Sequence, residues 1–465
     1  MTLLEAYLPV ASARPGKVSA AIGPLGPGSP VVARFVVDPT AGEPTSADGL
    51  SEVDADVITR TVQAGLDAGV PVVGVLRGTG GDAFGGVATL HGWGVVAHML
   101  TRASGQVPVV LVVDGPCLGG PALLLGLADV VILTDDAVAY VSEPAAVARI
   151  TAVDVSEQAL GGAAVHAAQS GVAHVVAPDL PEALAVAADL LDHLPPNQHE
   201  PPPVGVTTDP FDRRCELARA AVPTDARRSY DVRDVIADIV DDRHVLELRP
   251  RFGASVVTAV ARIAGQPVGI VANQPCQLAG ALDIEGSQKA ARFVRWCDGA
   301  NLPLVTFVDT PGFRPGKDQE WRGMIRHGAQ LAFAYAEATV PRLCVLLRKA
   351  YGGAFIVMDC KTMGNDVCFA WPSAEVAVMG AAGAVEVLHR KRLSQLPDHD
   401  RDAEHAELVA HYEATHLSPR IAAERGYVDE VIDPADTRMV LARSLAALAA
   451  KRESLPRRRH ANTPL

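Results

Sequence analysis

The chain has 465 residues, 49% of them apolar and 20% charged, which is enough apolar material for two globular domains of ordinary size and too little charge for a disordered polymer. With a formal net charge of −13 and a pI near 5.5 it repels long polyanions such as DNA and RNA, although a small anionic ligand can still be met by local basic groups or helix N-termini. The cysteines (Cys117, Cys215, Cys276, Cys297, Cys344, Cys360 and Cys368) form no C-x-x-C pair, which argues against a disulfide framework or a zinc ribbon, so no metal is expected.

The N-terminal MTLLEAYLPV lacks the basic segment and long apolar stretch of a secretory leader, and no run of roughly 18 apolar residues follows; a cytoplasmic protein without membrane contact is expected. Ala11 to Pro30, rich in Gly, Pro and Ser, reads as a loose lead-in. Next come VPVVGVLRGTGG (Val70 to Gly81), a helical segment from Gly85 to Ser104, and VPVVLVVDGPCLGG (Val107 to Gly120). Each continuous β-branched run is the pattern of a strand buried on both faces. The proline-rich LPPNQHEPPPVGVTTDP, Leu194 to Pro210, forbids regular helix and interior strand and marks the domain boundary, giving expected domains over 1–200 and 225–465.

Beyond it, Ala254 to Pro275 reads as a hairpin turning at Gly265-Gln266. LPLVTFVDTPGF (Leu302 to Phe313), a helix over Gln319 to Ala338, and VPRLCVLLRKAYGG (Val340 to Gly353) then repeat the unit of the first half. Strand, glycine turn, helix and next strand, twice over, predict an α/β chain of two related domains. The basic tip PRRRH near the end reads as a solvated terminus.

The repeat brings four glycine-bearing turns to strand ends that feed helices: Gly78 to Gly81, Gly119-Gly120, Gly312 to Gly316, and Gly352-Gly353. Such turns expose backbone N–H groups that can stabilise an oxyanion without a charged side chain. No H-E-x-x-H, Walker A, G-x-S-x-G or dinucleotide fingerprint is present. Chemistry confined to backbone donors suits enolate formation from a thioester, where charge grows on one carbonyl oxygen.

The runs SYDVRDVIADIVDD, PVGIVANQP, ALDIEGSQKAARFVRWCDGANLPLVTFVDTPGFRPGKDQEWRGMIRHGAQLAFAYAEATVPRLCVLLRKAYGGAF and CFAWPSAEVAVMGAAGAVEVLHRK, from Ser229 to Arg392, resemble the carboxyltransferase (β) subunits of acetyl-CoA and propionyl-CoA carboxylases. That resemblance implies two crotonase-like domains, a hexamer, an acyl-CoA substrate, and carboxybiotin carried by a biotin carboxylase/biotin carboxyl carrier partner. It implies oxyanion sites at Gly119-Gly120 for the thioester and Gly353-Ala354 for the biotin ureido oxygen. Gly80, Gly81, Gly352, Phe355 and Ile356 are then expected at the substrate, and Gly312 and Tyr351 at the biotin.

Apolar Ile356 looks more like acetyl-CoA enzymes than propionyl-CoA enzymes, which often carry Asp there. His327 is expected to be packed rather than catalytic; Arg348 and Lys349 are either contacts for a CoA phosphate or carboxybiotin, or ordinary strand-end charges. In the first half the family's SGGAR-type turn is replaced by TGGDAFGGV, without the arginine, and Pro121 removes an amide donor from GPCLGGP. Those departures leave two alternatives beside an active carboxyltransferase: a biotin-independent decarboxylase, and a non-catalytic or half-site paralogue in a mixed complex.

Overall fold

The computed structural model describes residues 8–9, 17–38, 50–78, 80, 85–225, 227–451, 453–459, 461–462 and 464. Two compact units divide the chain. One comprises Met1–Pro203 with Leu248–Phe252 and Gly299–Asn301, the other Val204–Glu247, Gly253–Asp298 and Leu302–Leu465.

The strands of the first unit are β1 (Leu8–Pro9), β2 (Val18–Pro24), β3 (Val31–Val37), β4 (Val72–Leu76), β5 (Val109–Val113), β6 (Pro116–Leu118), β7 (Val130–Thr134), β8 (Val138–Tyr140) and β9 (Val175–Ala177). Seven form a sheet in the order β1-β2-β3-β4-β5-β7-β9, and β6 pairs with β8 apart from it. From β3 onward the pairing in the large sheet is parallel, and every residue of β4, β5 and β7 is buried. Their continuous Val/Leu/Ile composition follows from burial on both faces.

The helix α1 (Glu52–Ala68) opens on a capping box between Ser51 and Asp54 and closes on Gly69 at φ 63°. α2 (Val87–Ala103) turns Trp93, Val96, Leu100 and Ala103 inward. Gly92 permits the close approach of α2 to α1, since a Cβ there would lie 2.8 Å from that of Ala55. A five-residue helix, α3 (Gly120–Leu124), follows β6. The lead-in expected over Ala11 to Pro30 is not loose throughout: β2 pairs antiparallel with β3 from Val18↔Val37 to Pro24↔Val31. The Gly and Pro that suggested a loop sit at the hairpin end, where Gly28 adopts φ 76°.

In the second unit the strands are β10 (Val245–Leu248), β11 (Val256–Ile263), β12 (Gln266–Asn273), β13 (Leu304–Thr310), β14 (Arg342–Tyr351), β15 (Val367–Ala370), β16 (Glu375–Ala377) and β17 (Glu430–Val431). The sheet runs β10-β11-β12-β13-β14-β15-β17, with β16 pairing the far end of β14. β11 and β12 form the expected hairpin, but its turn is Ala264-Gly265, both at positive φ, because Gln266 already pairs with Ile263. The helix expected over Gln319 to Ala338 is two, Lys317–Trp321 and Met324–Glu337, broken where Gly323 takes φ 92°. The cysteines are unpaired, and Cys276 alone is exposed. Among the described residues no helix is long and apolar enough to cross a membrane.

Candidate active site

The internal repeat has a strict local counterpart. In the first unit β6 pairs in parallel with β8, ending on Leu118↔Tyr140; in the second, the last residues of β14 pair in parallel with β16, ending on Tyr351↔Ala377. The next residue is glycine in both, Gly119 at φ 66° and Gly352 at φ 59°. An L side chain rarely adopts this conformation, so glycine is required to swing the chain from strand into helix. Aligning the repeats on Pro108 and Pro341 places Gly120 with Gly353 and Pro121 with Ala354.

In the first unit the Gly119 N–H is consumed, donating to the Tyr140 carbonyl at 2.9 Å. Gly120 is exposed, and its N–H meets no backbone acceptor among the described residues. A Cβ on Gly120 would sit 3.4 Å from the indole of Trp93, so the turn lies directly on that ring. Gly80 is brought against the same turn: a Cβ there would be 3.3 Å from the Leu118 carbonyl oxygen, and its own carbonyl accepts from Leu50 N–H at 3.0 Å. Gly81 lies outside the described residues. Pro121, buried at the start of α3, contributes no donor.

In the second unit Gly312, at φ 141°, accepts from Leu282 N–H at 3.1 Å, while Arg314 N–H donates back to Leu282 at 2.8 Å. This exchange leaves Phe313 N–H without a backbone acceptor among the described residues. The Phe313 ring underlies the second turn, 3.4 Å from where a Cβ of Gly353 would stand. Gly312-Phe313 and Gly353 are therefore one cluster, as Gly80 and Gly120 are in the first unit. Ala354 is fully buried, Phe355 half-buried, and Ile356 46% exposed, which leaves the Ile356 side chain accessible to a ligand.

Tyr351 precedes this turn. Its ring is buried and its phenol contacts the Glu375 carboxylate; burial first, and that carboxylate second, drive its pKa upward. Tyr140, whose carbonyl holds Gly119, donates its hydroxyl to Glu157 at 3.0 Å, and the same two causes push its pKa up to about 12.

The Arg348 side chain and the Lys349 backbone, just before the second turn, are both held by a buried carboxylate. Asp309, 1% exposed at the end of β13, accepts from Arg348 Nε at 3.0 Å, from the Tyr230 hydroxyl at 3.0 Å and from Lys349 N–H at 3.1 Å. Arg348 also donates to the Arg228 carbonyl at 2.8 Å and lies 5.1 Å from the Tyr230 ring centroid. Burial raises the Asp309 pKa, opposed by Arg348. The Arg348 guanidinium is thus committed to locking β14 onto β13 just before the glycine turn, and is not a contact for a CoA phosphate. His327 is packed, with Nδ1 3.1 Å from Gln330 Oε1 and 3.2 Å from Gln288 Nε2.

Asp309, Tyr230, Glu375 and Glu157 escaped the sequence reading. Each acts through a partner 17 to 79 positions away, a pairing that strand register and helix seating create. The one available signal was a lone carboxylate, Asp309, inside an otherwise apolar strand.

A carboxyl transferase domain model matches residues 41–463. The chain is 42% identical over 428 residues to the propionyl-CoA carboxylase beta chain of Saccharopolyspora erythraea, covering 90% of this chain and 78% of the relative. It is 43% identical over 413 residues to the methylmalonyl-CoA carboxyltransferase 12S subunit of Propionibacterium freudenreichii, covering 89% and 78%. Among solved structures, a transcarboxylase 12S hexamer assembly with methylmalonyl-CoA and methylmalonic acid bound matches with a TM-score of 0.93 and 39% identity, covering 99% of this chain and 89% of the other. With an α/β, crotonase-like fold and a family match over nearly its whole length, the chain belongs to the carboxyl transferase family, that of the carboxyltransferase β subunits of biotin-dependent acyl-CoA carboxylases.

Proposed function

We propose that this chain moves a carboxyl group between biotin on a separate carrier subunit and the α-carbon of a short acyl-CoA, with residues 1–200 facing the acyl-CoA and 225–465 facing the biotin. The observation that carries this reading is the duplicated turn: Gly120 on Trp93 and Gly353 on Phe313 stand in equivalent positions, and neither amide meets a backbone acceptor among the described residues.

In this reading the Gly120 amide, with Gly80 beside its turn and Gly81 next in sequence, holds the thioester oxygen as negative charge grows on it. The amides of Gly353 and Ala354, with Gly312-Phe313 beside them, hold the ureido oxygen; Gly352 and Tyr351 shape that turn. Carboxybiotin would supply the labile carboxyl group, and amide donors suit the negative charge that the departing carboxyl would leave on the ureido oxygen. No side-chain base is needed, which agrees with the packed His327. Assembly follows the relatives in this proposal, as a hexamer with a biotin carboxylase/carrier partner in the cytoplasm.

Two observations bear on the acyl group. Exposed, apolar Ile356 supports acetyl-CoA, whereas relatives named for propionyl-CoA and methylmalonyl-CoA support the longer chain. Competition between acetyl-CoA and propionyl-CoA for labelled carboxybiotin decides between them, and Ile356→Asp is expected to shift the ratio toward propionyl-CoA. A half-site role in a mixed complex is the second reading, supported by Pro121. Transfer of label by the purified chain alone would end that alternative; no transfer from carboxybiotin to any acyl-CoA would end the first.

A further inference from the structure

Both glycine turns are flanked by the same side-chain arrangement, which the backbone chemistry above does not use. In the first unit, Tyr140 is the last residue of β8; its carbonyl fixes Gly119, its ring is 8% exposed, and its hydroxyl donates to Glu157 at 3.0 Å. The short helix Glu157–Gly161 that carries this carboxylate sits flush on β8: a Cβ on Gly161 would come 2.1 Å from the Ala139 carbonyl oxygen, and Val138 bridges to Gly162.

In the second unit, Tyr351 is the last residue of β14, also 8% exposed, and its hydroxyl is held by Glu375 at the start of β16. Its ring packs with Ala381 and Leu417 in a small apolar cluster and lies 3.3 Å from where a Cβ of Gly380 would stand. The tyrosines are not equivalent in the repeat, since Tyr140 aligns with Ala377 and Tyr351 with Leu118. Opposite strands of the same parallel pair therefore reach one solution, a buried phenol tied to a carboxylate at the point where the strand pair gives way to glycine.

We propose that Tyr140–Glu157 and Tyr351–Glu375 are positioning clamps, each fixing the backbone of one glycine turn, and so each controlling one half of the transfer: the first the acyl-CoA, the second the biotin. Glycine at positive φ has no side chain to hold its own conformation. A turn of amides aimed at a developing charge loses its effect when misplaced by about 1 Å. A hydrogen bond from a buried phenol to a carboxylate is strong enough to hold it. This inference rests on the function proposed above.

The test uses the full chain with methylmalonyl-CoA as carboxyl donor and free biotin as acceptor. The bond from the α-carbon to the carboxylate breaks, the carboxylate passes to the biotin nitrogen, and the nitrogen's proton returns to the α-carbon. Tyr140→Phe and Glu157→Ala are expected to lower transfer roughly tenfold, the equivalent of losing one hydrogen bond to a charged group. They raise KM for methylmalonyl-CoA, because each turn also holds its ligand's carbonyl before reaction, and leave KM for biotin in place. Tyr351→Phe and Glu375→Ala do the reverse. Glu157→Gln and Glu375→Gln, which keep an acceptor, restore most of the rate.

A purely structural role moves both KM values and thermal stability together and shows no rescue by glutamine. That result, or variants within twofold of the unaltered chain, overturns the clamps while leaving the functional reading intact. Absence of transfer by the unaltered chain from methylmalonyl-CoA and from malonyl-CoA alike overturns both.

Discussion

Ala354 and Pro121 occupy equivalent positions in the two turns, so exchanging their chemistry tests whether backbone donors do the catalysis. Ala354→Pro removes one amide from the biotin-side turn, and Pro121→Ala supplies the missing one on the acyl-CoA side. The structure bounds the side effects. Pro121 already sits buried at the start of α3, so the turn accepts the proline ring in one of its two copies. Losing that proline costs about 0.4–1 kcal/mol of stability through greater freedom of the unfolded chain.

One oxyanion donor is worth about 2.7–4 kcal/mol of transition-state stabilisation, or on the order of 10²–10³ in rate. Ala354→Pro should therefore slow labelled carboxyl transfer by that factor, and Pro121→Ala should accelerate it. Because Ala354 is fully buried, Ala354→Gly is the control: it keeps the amide, leaves a methyl-sized gap and should retain the rate to within a few-fold. Circular dichroism melts confirm that the variants compared are folded. If folded Ala354→Pro stays within fivefold of the unaltered chain, the amide is not a donor and the biotin-side assignment fails. If Pro121→Ala gains nothing, Gly120 and its neighbouring loop already suffice.

Two further outcomes follow from the buried ion pairs. Arg348→Met strips the partner from a carboxylate that is 1% exposed and should cost about 3–5 kcal/mol in urea unfolding; adding Asp309→Asn should recover part of that loss, and strict additivity of the two substitutions would show the pair to be uncoupled. Asp359 is fully buried, which lifts its pKa from 3.8 to about 7 against the opposing pull of Arg342. Since the folded value lies above the unfolded one, the native state binds the extra proton between them. Stability from this group is present below about pH 4 and is lost as pH rises toward 7. Asp359→Asn, tolerated at φ 60°, should flatten that part of the stability profile, and an unchanged slope in chemical denaturation would refute the assignment.

The sequence by itself determined the layered α/β class, the duplicated unit and the turns at Gly120 and Gly353. Continuous β-branched runs and glycines at strand ends are local signals, set by burial on both faces and by the steric cost of positive φ. The break at Gly323 and the strand over Val18–Pro24 were not legible, because glycine and proline report only that a regular element is weakened locally, while pairing with β3 decides the outcome. Only the tertiary structure decided what the polar residues do. Arg348 next to a ligand turn looks like an anion contact until β13 brings Asp309 to 3.0 Å, and the partner of the Tyr351 hydroxyl is visible only once β16 brings Glu375 to it. Those partners meet through strand register, which has no fixed spacing along the chain; a buried charge or phenol must be satisfied by whichever group the fold delivers.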